Sequence, residues 1–403
     1  MGNKIQSTLN IKSLAEIPSI IKYMGSKKPI LKFVTSNIED VNRQGGLVCD
    51  LFSGSCTISA ALRRKMNFIS NDIQSYSEIL GRTYFSNLSE YEADNLLVEI
   101  ESLANEHLEY FRDNFGEYFY EYQLIDTLKE YQKIELKQRN LHNFDDFDGE
   151  YYLFVKYYSG TYWSFEQCAW IDSLRRVADN YRDEKVFYAI LSSLMYAMSY
   201  TTQSTGHFAQ YRDGNSLDAM KNIITYRVKD IFELFSKKLK ELINTLDNSV
   251  RDIQTTTLTF QKCLELVPEG STVYADPPYA PVHYSRFYHV LETLVKYDYP
   301  SLKFKGRYRE DRHQSPFSQK TKALQAFNEL FSGIVRAKSQ MVLSYSGSGV
   351  VNINSISQLA DAIFPDTMYI LETKELEHKH STMGRFEDQN RDVIEYLIIA
   401  KFK

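Results

Sequence analysis

The chain has 403 residues, 43% of them hydrophobic and 25% charged, with 47 basic against 52 acidic side chains and a net charge of −5. Such a composition supports a substantial core and excludes intrinsic disorder, and no run of 18 apolar residues offers a membrane-spanning helix. The four cysteines, at 49, 56, 168 and 263, have no C-x-x-C spacing, so neither a zinc site nor a disulfide framework is expected. Met1 to Ser13 has no apolar signal-peptide core, and a reducing cytoplasm is the expected setting.

In chain order, the first strong pattern is Gly46 to Thr57, which reads as strand, tight turn and helix. Leu47 to Phe52 is apolar apart from Asp50, and Ser53, Gly54 and Ser55 are small enough for the backbone to approach a ligand closely. Thr57 to Arg64 then has helical character, with Ile58, Ala61 and Leu62 on one face. The loop lacks the full G-x-G-x-x-G and G-x-x-x-x-G-K-[ST] patterns of polyphosphate cradles. A second strand, Phe68 to Ile73, carries Asp72 about twenty residues later, a spacing that suits a carboxylate gripping ribose hydroxyls. An adenosine-containing ligand without a polyphosphate fits both features, and S-adenosylmethionine is the natural candidate.

From Leu80 to roughly Ser249 the pattern changes to helices rich in Tyr, Phe and Glu. Helical aromatic stripes of this kind are more often packing than base-stacking surfaces. Glu101 to Glu150 holds 13 acidic and 5 basic residues and reads as a solvated helical face. Strand-like runs resume at Thr256 to Phe260, Thr272 to Asp276, Met341 to Tyr345, Met368 to Glu372 and Val393 to Ala400, with a helix over Lys320 to Arg336. A mainly parallel α/β sheet covered on both faces follows, closed by an antiparallel strand, because a polar connection without a helix joins the last two runs.

Asp276-Pro277-Pro278-Tyr279 ends the strand that begins at Thr272. It places a carboxylate at a strand's carboxyl tip, where open α/β sheets bind ligands. Neither proline donates a backbone hydrogen bond, so their carbonyls remain as rigid acceptors, and the tyrosine adds a flat ring. Such a group can accept both hydrogens of an exocyclic amine and stack on its ring. The plainer reading is a strand followed by a proline-rich turn.

Lys22-Tyr23-Met24-Gly25-Ser26-Lys27, Asp50-Leu51-Phe52-Ser53-Gly54-Ser55 and Asp276-Pro277-Pro278-Tyr279, in that order, resemble the DNA N6-adenine methyltransferases. In the alpha-ordered, restriction-modification members, the cofactor motif comes first, a target-recognition insert follows, and the catalytic motif comes last. Thr161 to Ser164, Gly206 to Gln210, Tyr284 to Leu294 and Glu395 to Ile399 are also similar, so the resemblance runs from about Tyr23 to the carboxyl end and is weakest over 80–150. Cys56 stands where the family usually has a second glycine, which is expected to adjust the loop rather than abolish binding. The resemblance implies a Rossmann-like S-adenosylmethionine-dependent sheet. Residues 1–80 and 255–403 then form the catalytic domain and 81–254 a mainly helical target-recognition insert.

By the same resemblance, Tyr23, Met24, Gly25 and Lys27 border the cofactor, and Asp50, Phe52, Ser53 and Gly54 line its methionine end. Asp72 and Ile73 then lie at the ribose, and Asp276 lies between cofactor and base. Asp276, Pro277, Pro278 and Tyr279 carry catalysis on a flipped adenine. The implied partners are double-stranded DNA and a cognate restriction endonuclease acting separately. An N4-cytosine methyltransferase, using the same acceptor geometry, and a catalytically silent DNA-binding protein are the alternatives. For DNA contacts, Gln210 and Arg212 are expected to reach base edges or phosphates, and Lys305 and Arg307, in a segment richer in cations than acids, to meet phosphates. No metal is expected: His378-Lys379-His380 has no third ligand at suggestive spacing, and there is no H-E-x-x-H.

Overall fold

The apolar runs that flank the small-residue loop and the Asp-Pro-Pro-Tyr stretch become the central strands of one sheet. The computed structural model describes residues 17–147, 149–203, 207–247, 249–380 and 391–403. Its strands, in chain order, are β1 (Val48–Asp50), β2 (Phe68–Asn71), β3 (Ile253–Thr256), β4 (Thr272–Ala275), β5 (Leu302–Lys303), β6 (Tyr308–Arg309), β7 (Gln340–Ser346), β8 (Tyr369–His380) and β9 (Arg391–Phe402). Seven form a sheet of order β3-β2-β1-β4-β7-β9-β8, while β5 and β6 pair as a separate antiparallel hairpin. β3, β2, β1, β4 and β7 run parallel, with Val48 opposite both Phe68 and Thr272. β9 is antiparallel to β7 and β8, the closing arrangement expected from the sequence.

Every residue of β1, β2, β4 and β7 is buried, as a parallel sheet covered on both faces requires. Successive side chains alternate between two cores. Val48, Tyr274, Val342 and Leu397 enter one; Cys49, Val273, Leu343 and Ile398 enter the other. The second core is closed by helices Phe260–Leu264, Ala323–Arg336 and Ile353–Ile363. The first is closed by Leu31–Val41, Thr57–Leu62 and Ser75–Tyr84, and then by the helices of the long insertion before β3. Leu194 and Phe235 of that insertion belong to the same continuous core as Val48 and Tyr274. Its largest aromatics, among them Phe154, Tyr158, Tyr162, Trp163 and Phe165, are packing residues, fully buried. No helix among the described residues is long and apolar enough to cross a membrane.

Two stretches differ from expectation. The strand expected over Thr256 to Phe260 lies earlier, at Ile253–Thr256. The Thr259 hydroxyl accepts the Lys262 N–H at 3.4 Å and starts a helix there instead of continuing the ladder. The polar connection after Glu372 is not a loop throughout. β8 continues to His380 and β9 begins at Arg391, because the two pair with each other over their full twelve residues.

Inside the insertion, Arg227 is a fully buried guanidinium held by Glu135 through Nε (3.2 Å) and Nη2 (2.9 Å). Glu135 also accepts the Tyr122 hydroxyl at 3.0 Å. Removing one partner of such a pair leaves an uncompensated charge in a low-dielectric interior. Glu135→Ala is therefore expected to cost about 3–5 kcal/mol in urea unfolding, whereas replacing both partners by apolar residues of similar volume should cost much less.

Candidate functional site

The chain passes from β1 to β2 and β3 on one side and returns to β4 on the other. Connections leaving β1 and β4 therefore diverge, and a crevice opens at their carboxyl tips. A cavity of about 290 Å³ occupies it. Tyr23, Met24, Gly25 and Lys27 line it from the segment before β1, Asp50, Phe52, Ser53 and Gly54 from β1 and its loop, and Asp72 and Ile73 from beyond β2. Asp276, Pro277, Pro278 and Tyr279 line it from beyond β4. Residues far apart in sequence are thus brought to one crevice.

The loop after β1 is held by close packing. Gly54 has φ +50°, and a Cβ there would stand 2.5 Å from the Tyr23 hydroxyl. The Tyr23 ring itself stacks on Tyr288 at 4.9 Å between centroids and 14° between planes. The Tyr288 hydroxyl accepts the Met24 N–H at 2.6 Å, fixing the segment from the other side. Cys56, in place of a glycine, adopts left-handed φ 56° and ψ 25° as the cap of the Thr57–Leu62 helix. Its backbone thus takes a conformation that glycine adopts without strain, while its fully buried thiol donates to the Ser77 carbonyl at 3.3 Å. Burial pushes that thiol up to about 12, so it stays protonated.

Acids dominate the cavity. Asp72 accepts the Gly54 N–H at 2.9 Å and the Gln74 N–H at 3.0 Å. Burial, opposed by these donors, pushes its carboxyl up to about 6. Asp50 is 1% exposed and its Oδ1 has no hydrogen-bond partner among the described residues. Burial, then the charges of Asp276 and Asp72, hold it well above the usual carboxylate range. Lys27 is the single Lys or Arg among the lining residues. Its buried ammonium lies 3.0 Å from Asp276 Oδ1 and donates to Glu395 Oε1 at 2.8 Å. It also stands 5.7 Å from the centre of the Tyr279 ring. Burial pushes the Asp276 carboxyl up to about 6, with Lys27 pulling it down and Glu395 raising it. An excess of buried carboxylate over ammonium suits a cationic ligand.

Glu395 and Tyr288 are site residues for which the sequence reading assigned no role. An acid at an inward position within the apolar run Val393 to Ala400 was the available signal for Glu395. Tyr288 gave none, since one tyrosine among 30 is unremarked without its stacking partner.

The expected DNA-contact residues lie elsewhere, on two segments that meet. The Tyr162 hydroxyl donates to Phe208 O at 2.6 Å and lies 3.0 Å from Gly306 O, joining the 207–213 segment to the β5–β6 hairpin. Gln210 and Arg212 are exposed, and Arg212 Nη1 donates to Asn222 at 2.6 Å. Gly206, expected to begin this loop, lies outside the described residues. Lys305 is exposed and paired with Asp213. Arg307 differs from expectation: its guanidinium turns inward and donates to the carbonyls of Tyr157 and Arg139, so it ties the hairpin to the insertion rather than presenting charge to solvent.

A family model described as D12 class N6 adenine-specific DNA methyltransferase matches residues 23–345. The chain is similar to the modification methylase LlaI of Lactococcus lactis subsp. lactis, at 23% identity over 391 residues, covering 94% of this chain and 55% of that protein. It is also similar to the type II methyltransferase M.FokI of Planomicrobium okeanokoites, at 24% over 385 residues, 89% of this chain and 50% of that protein. Against the type II methyltransferase M.NlaIII of Neisseria lactamica, identity is 21% over 350 residues, 84% of this chain and 87% of that protein. The chain spans about half the length of the first two relatives.

The packing of the loop gives a direct test. Gly54→Ala introduces a Cβ into the Tyr23 hydroxyl at a left-handed backbone position. It is expected to destabilise the protein by about 1–2 kcal/mol in denaturant unfolding and to reduce the near-ultraviolet tyrosine dichroism that reports the stacked pair.

Proposed function

The chain belongs to the D12 class N6 adenine-specific DNA methyltransferase family, and from that premise we propose that it is a sequence-specific enzyme transferring a methyl group from S-adenosylmethionine to the N6 amine of an adenine swung out of duplex DNA. The observation that carries this reading is the meeting, in one cavity, of the Gly54 loop, Asp72 and the Asp276-Pro277-Pro278-Tyr279 stretch. The family description, naming adenine N6, favours adenine over the cytosine amine that the same acceptors could serve.

The cavity chemistry fits S-adenosylmethionine, which is positive at both its sulfonium and its amino group. Asp50, whose Oδ1 is buried without a hydrogen bond from the described residues, is the residue to receive the ammonium. Asp72 retains acceptor lone pairs beyond its two backbone donors and is placed to take ribose hydroxyls. Tyr23, Met24, Gly25, Phe52, Ser53, Gly54 and Ile73 supply the surrounding walls. When bound, the cofactor supplies a methyl group already activated on its sulfonium.

The chain's own residues then act on the acceptor. The adenine amine is a poor nucleophile because its lone pair is delocalised into the ring. The Asp276 carboxylate and the Pro277 carbonyl accept its two hydrogens, favour pyramidalisation and free the lone pair. Tyr279 stacks on the base, which is out of reach inside a duplex. Holding donor and acceptor in line supplies much of the acceleration. The names of the relatives, a modification methylase and type II methyltransferases, support a place in a restriction-modification system, with a cognate endonuclease acting as a separate protein.

Binding and transfer are separable. Asp276→Ala is expected to keep cofactor and DNA binding and lose methyl transfer, since it removes an interaction that strengthens in the transition state. Asp72→Ala is expected to weaken S-adenosylmethionine binding by about 1.5–3 kcal/mol in calorimetry. Near-normal turnover by the first variant, or unchanged affinity in the second, would remove the assigned role.

Sequence reading belongs, in this proposal, to the insertion over 81–254, with the exposed Gln210 and Arg212 at base edges or phosphates and Lys305 at phosphates. Gln210→Ala is expected to relax methylation at one position of the recognition site with cofactor affinity intact. Lys305→Ala is expected to weaken binding to all DNA sequences alike and to lower the salt slope by about one. Single-molecule sequencing of DNA modified by each variant reports base, motif and strand together; an unchanged profile at full activity for the Gln210 variant would take that loop off the recognition surface.

A further inference from the structure

Lys27 stands between two carboxylates and treats them differently. Its ammonium donates a hydrogen bond to Glu395 Oε1 at 2.8 Å and lies 3.0 Å from Asp276 Oδ1, an oxygen closed to solvent. Glu395 is 3% exposed, and the same Oε1 also accepts the Ser344 hydroxyl from β7. Its place on β9 opposite Ser346 sets it beside the tip of β7, and its carboxylate is fixed from two sides. A buried acid at this position is not required by packing, since the neighbouring inward residue of β9, Leu397, is apolar.

We propose that Glu395 is a positioning residue for methyl transfer, anchoring the Lys27 ammonium at the buried Oδ1 of Asp276 so that the other carboxylate oxygen is left as a free acceptor for the adenine amine. This rests on the reading of Asp276 as that acceptor. Without that anchor the Lys27 ammonium is free to turn onto the second Asp276 oxygen, and a carboxylate oxygen occupied by a charge-assisted bond is a weaker acceptor for a second donor. With Glu395 in place, Asp276 takes the neutralising charge of Lys27 at its buried Oδ1. The negative charge of Glu395 also keeps Asp276 more basic than an exposed acid would be.

The groups facing Asp276 are Lys27 from the amino-terminal segment, Asp50 from β1, Tyr274 from β4, Tyr279 and Tyr284 from the chain after it, and Glu395 from β9. His378 Nε2 of β8 lies 4.0 Å from the outer oxygen of Glu395. Among these, Glu395→Gln removes one negative charge and frees Lys27 to turn. The Asp276 carboxyl should then titrate lower, and the acid limb of the pH–rate profile should move down with it.

The test uses the full chain with a DNA substrate. Glu395→Gln is expected to lower the single-turnover methyl-transfer rate at neutral pH by about tenfold or more and to move the acid limb down by about one pH unit, with S-adenosylmethionine affinity unchanged. Ser344→Ala, which only loosens Glu395, should give the same pattern in smaller measure. His378→Asn should leave the limb in place. The Asp276 carboxyl is also titrated directly by infrared difference spectroscopy against Asp276→Asn, in the natural and Glu395→Gln backgrounds, a readout that does not depend on turnover. A natural chain that transfers no methyl group would count against the proposed function, while the infrared midpoint would still decide the role of Glu395. A lowered rate with an unmoved limb and midpoint would reduce Glu395 to a structural residue and overturn the proposal, as would an unchanged rate or a limb that follows His378.

Discussion

Taking a carboxylate out of water costs several kcal/mol unless a counter-charge or hydrogen bonds make up the loss, and this protein gathers Asp50, Asp72, Asp276 and Glu395 around the tips of its central strands. Among the described residues, Lys27 is the only ammonium set among these acids. It comes from the segment before β1, while its firmest partner comes from the last strand, so one buried ion pair ties the two ends of the fold across the cavity. The excess of buried acids over ammonium makes the site receptive to positive charge. Structure and binding therefore draw on the same electrostatic imbalance.

The segment from Tyr284 to Leu294 links the cavity to the exposed 207–213 segment. Tyr288 turns toward the cavity, stacking on Tyr23 and holding Met24. The next residue, His289, turns away and bonds through Nε2 to the Phe208 carbonyl at 3.0 Å. Burial lowers His289 to about 3, so the ring is neutral and serves as a fixed donor to that carbonyl. Phe208 stands two residues before Gln210. Two adjacent side chains thus join the 207–213 segment to the residues packed at the cavity wall.

The hairpin of β5 and β6 has a similar double attachment. Arg307 pins it to the backbone of the insertion, while Arg309 is buried against Asp298 and Asp311. Cations that look from their sequence like a phosphate-binding run are therefore mostly spent on internal contacts. Lys305, exposed and held by an acid across the interface, retains surface character. Burial, not composition, separates the two uses.

The local patterns that need only neighbouring residues were legible in the sequence. The small-residue loop after β1, Asp72 beyond β2 and the Asp276-Pro277-Pro278-Tyr279 stretch follow from strand periodicity, glycine freedom and the loss of N–H donors at proline, and all three line the cavity. The strand at Thr256 was misplaced because a side-chain cap at Thr259 competes with the ladder, and the length of β8 and β9 was missed because it comes from their mutual pairing. Glu395 was passed over as a partner for Lys27 because the two lie 368 residues apart, and only the sheet order brings β9 beside β7. The inward turn of Arg307 was likewise invisible, since its acceptors are main-chain carbonyls, which carry no residue identity. Sequence by itself determined which chemical groups exist and which stand at strand tips. Tertiary structure alone decided which charges face one another, because the energy of a buried charge depends on the groups within a few ångströms of it, whatever their distance along the chain.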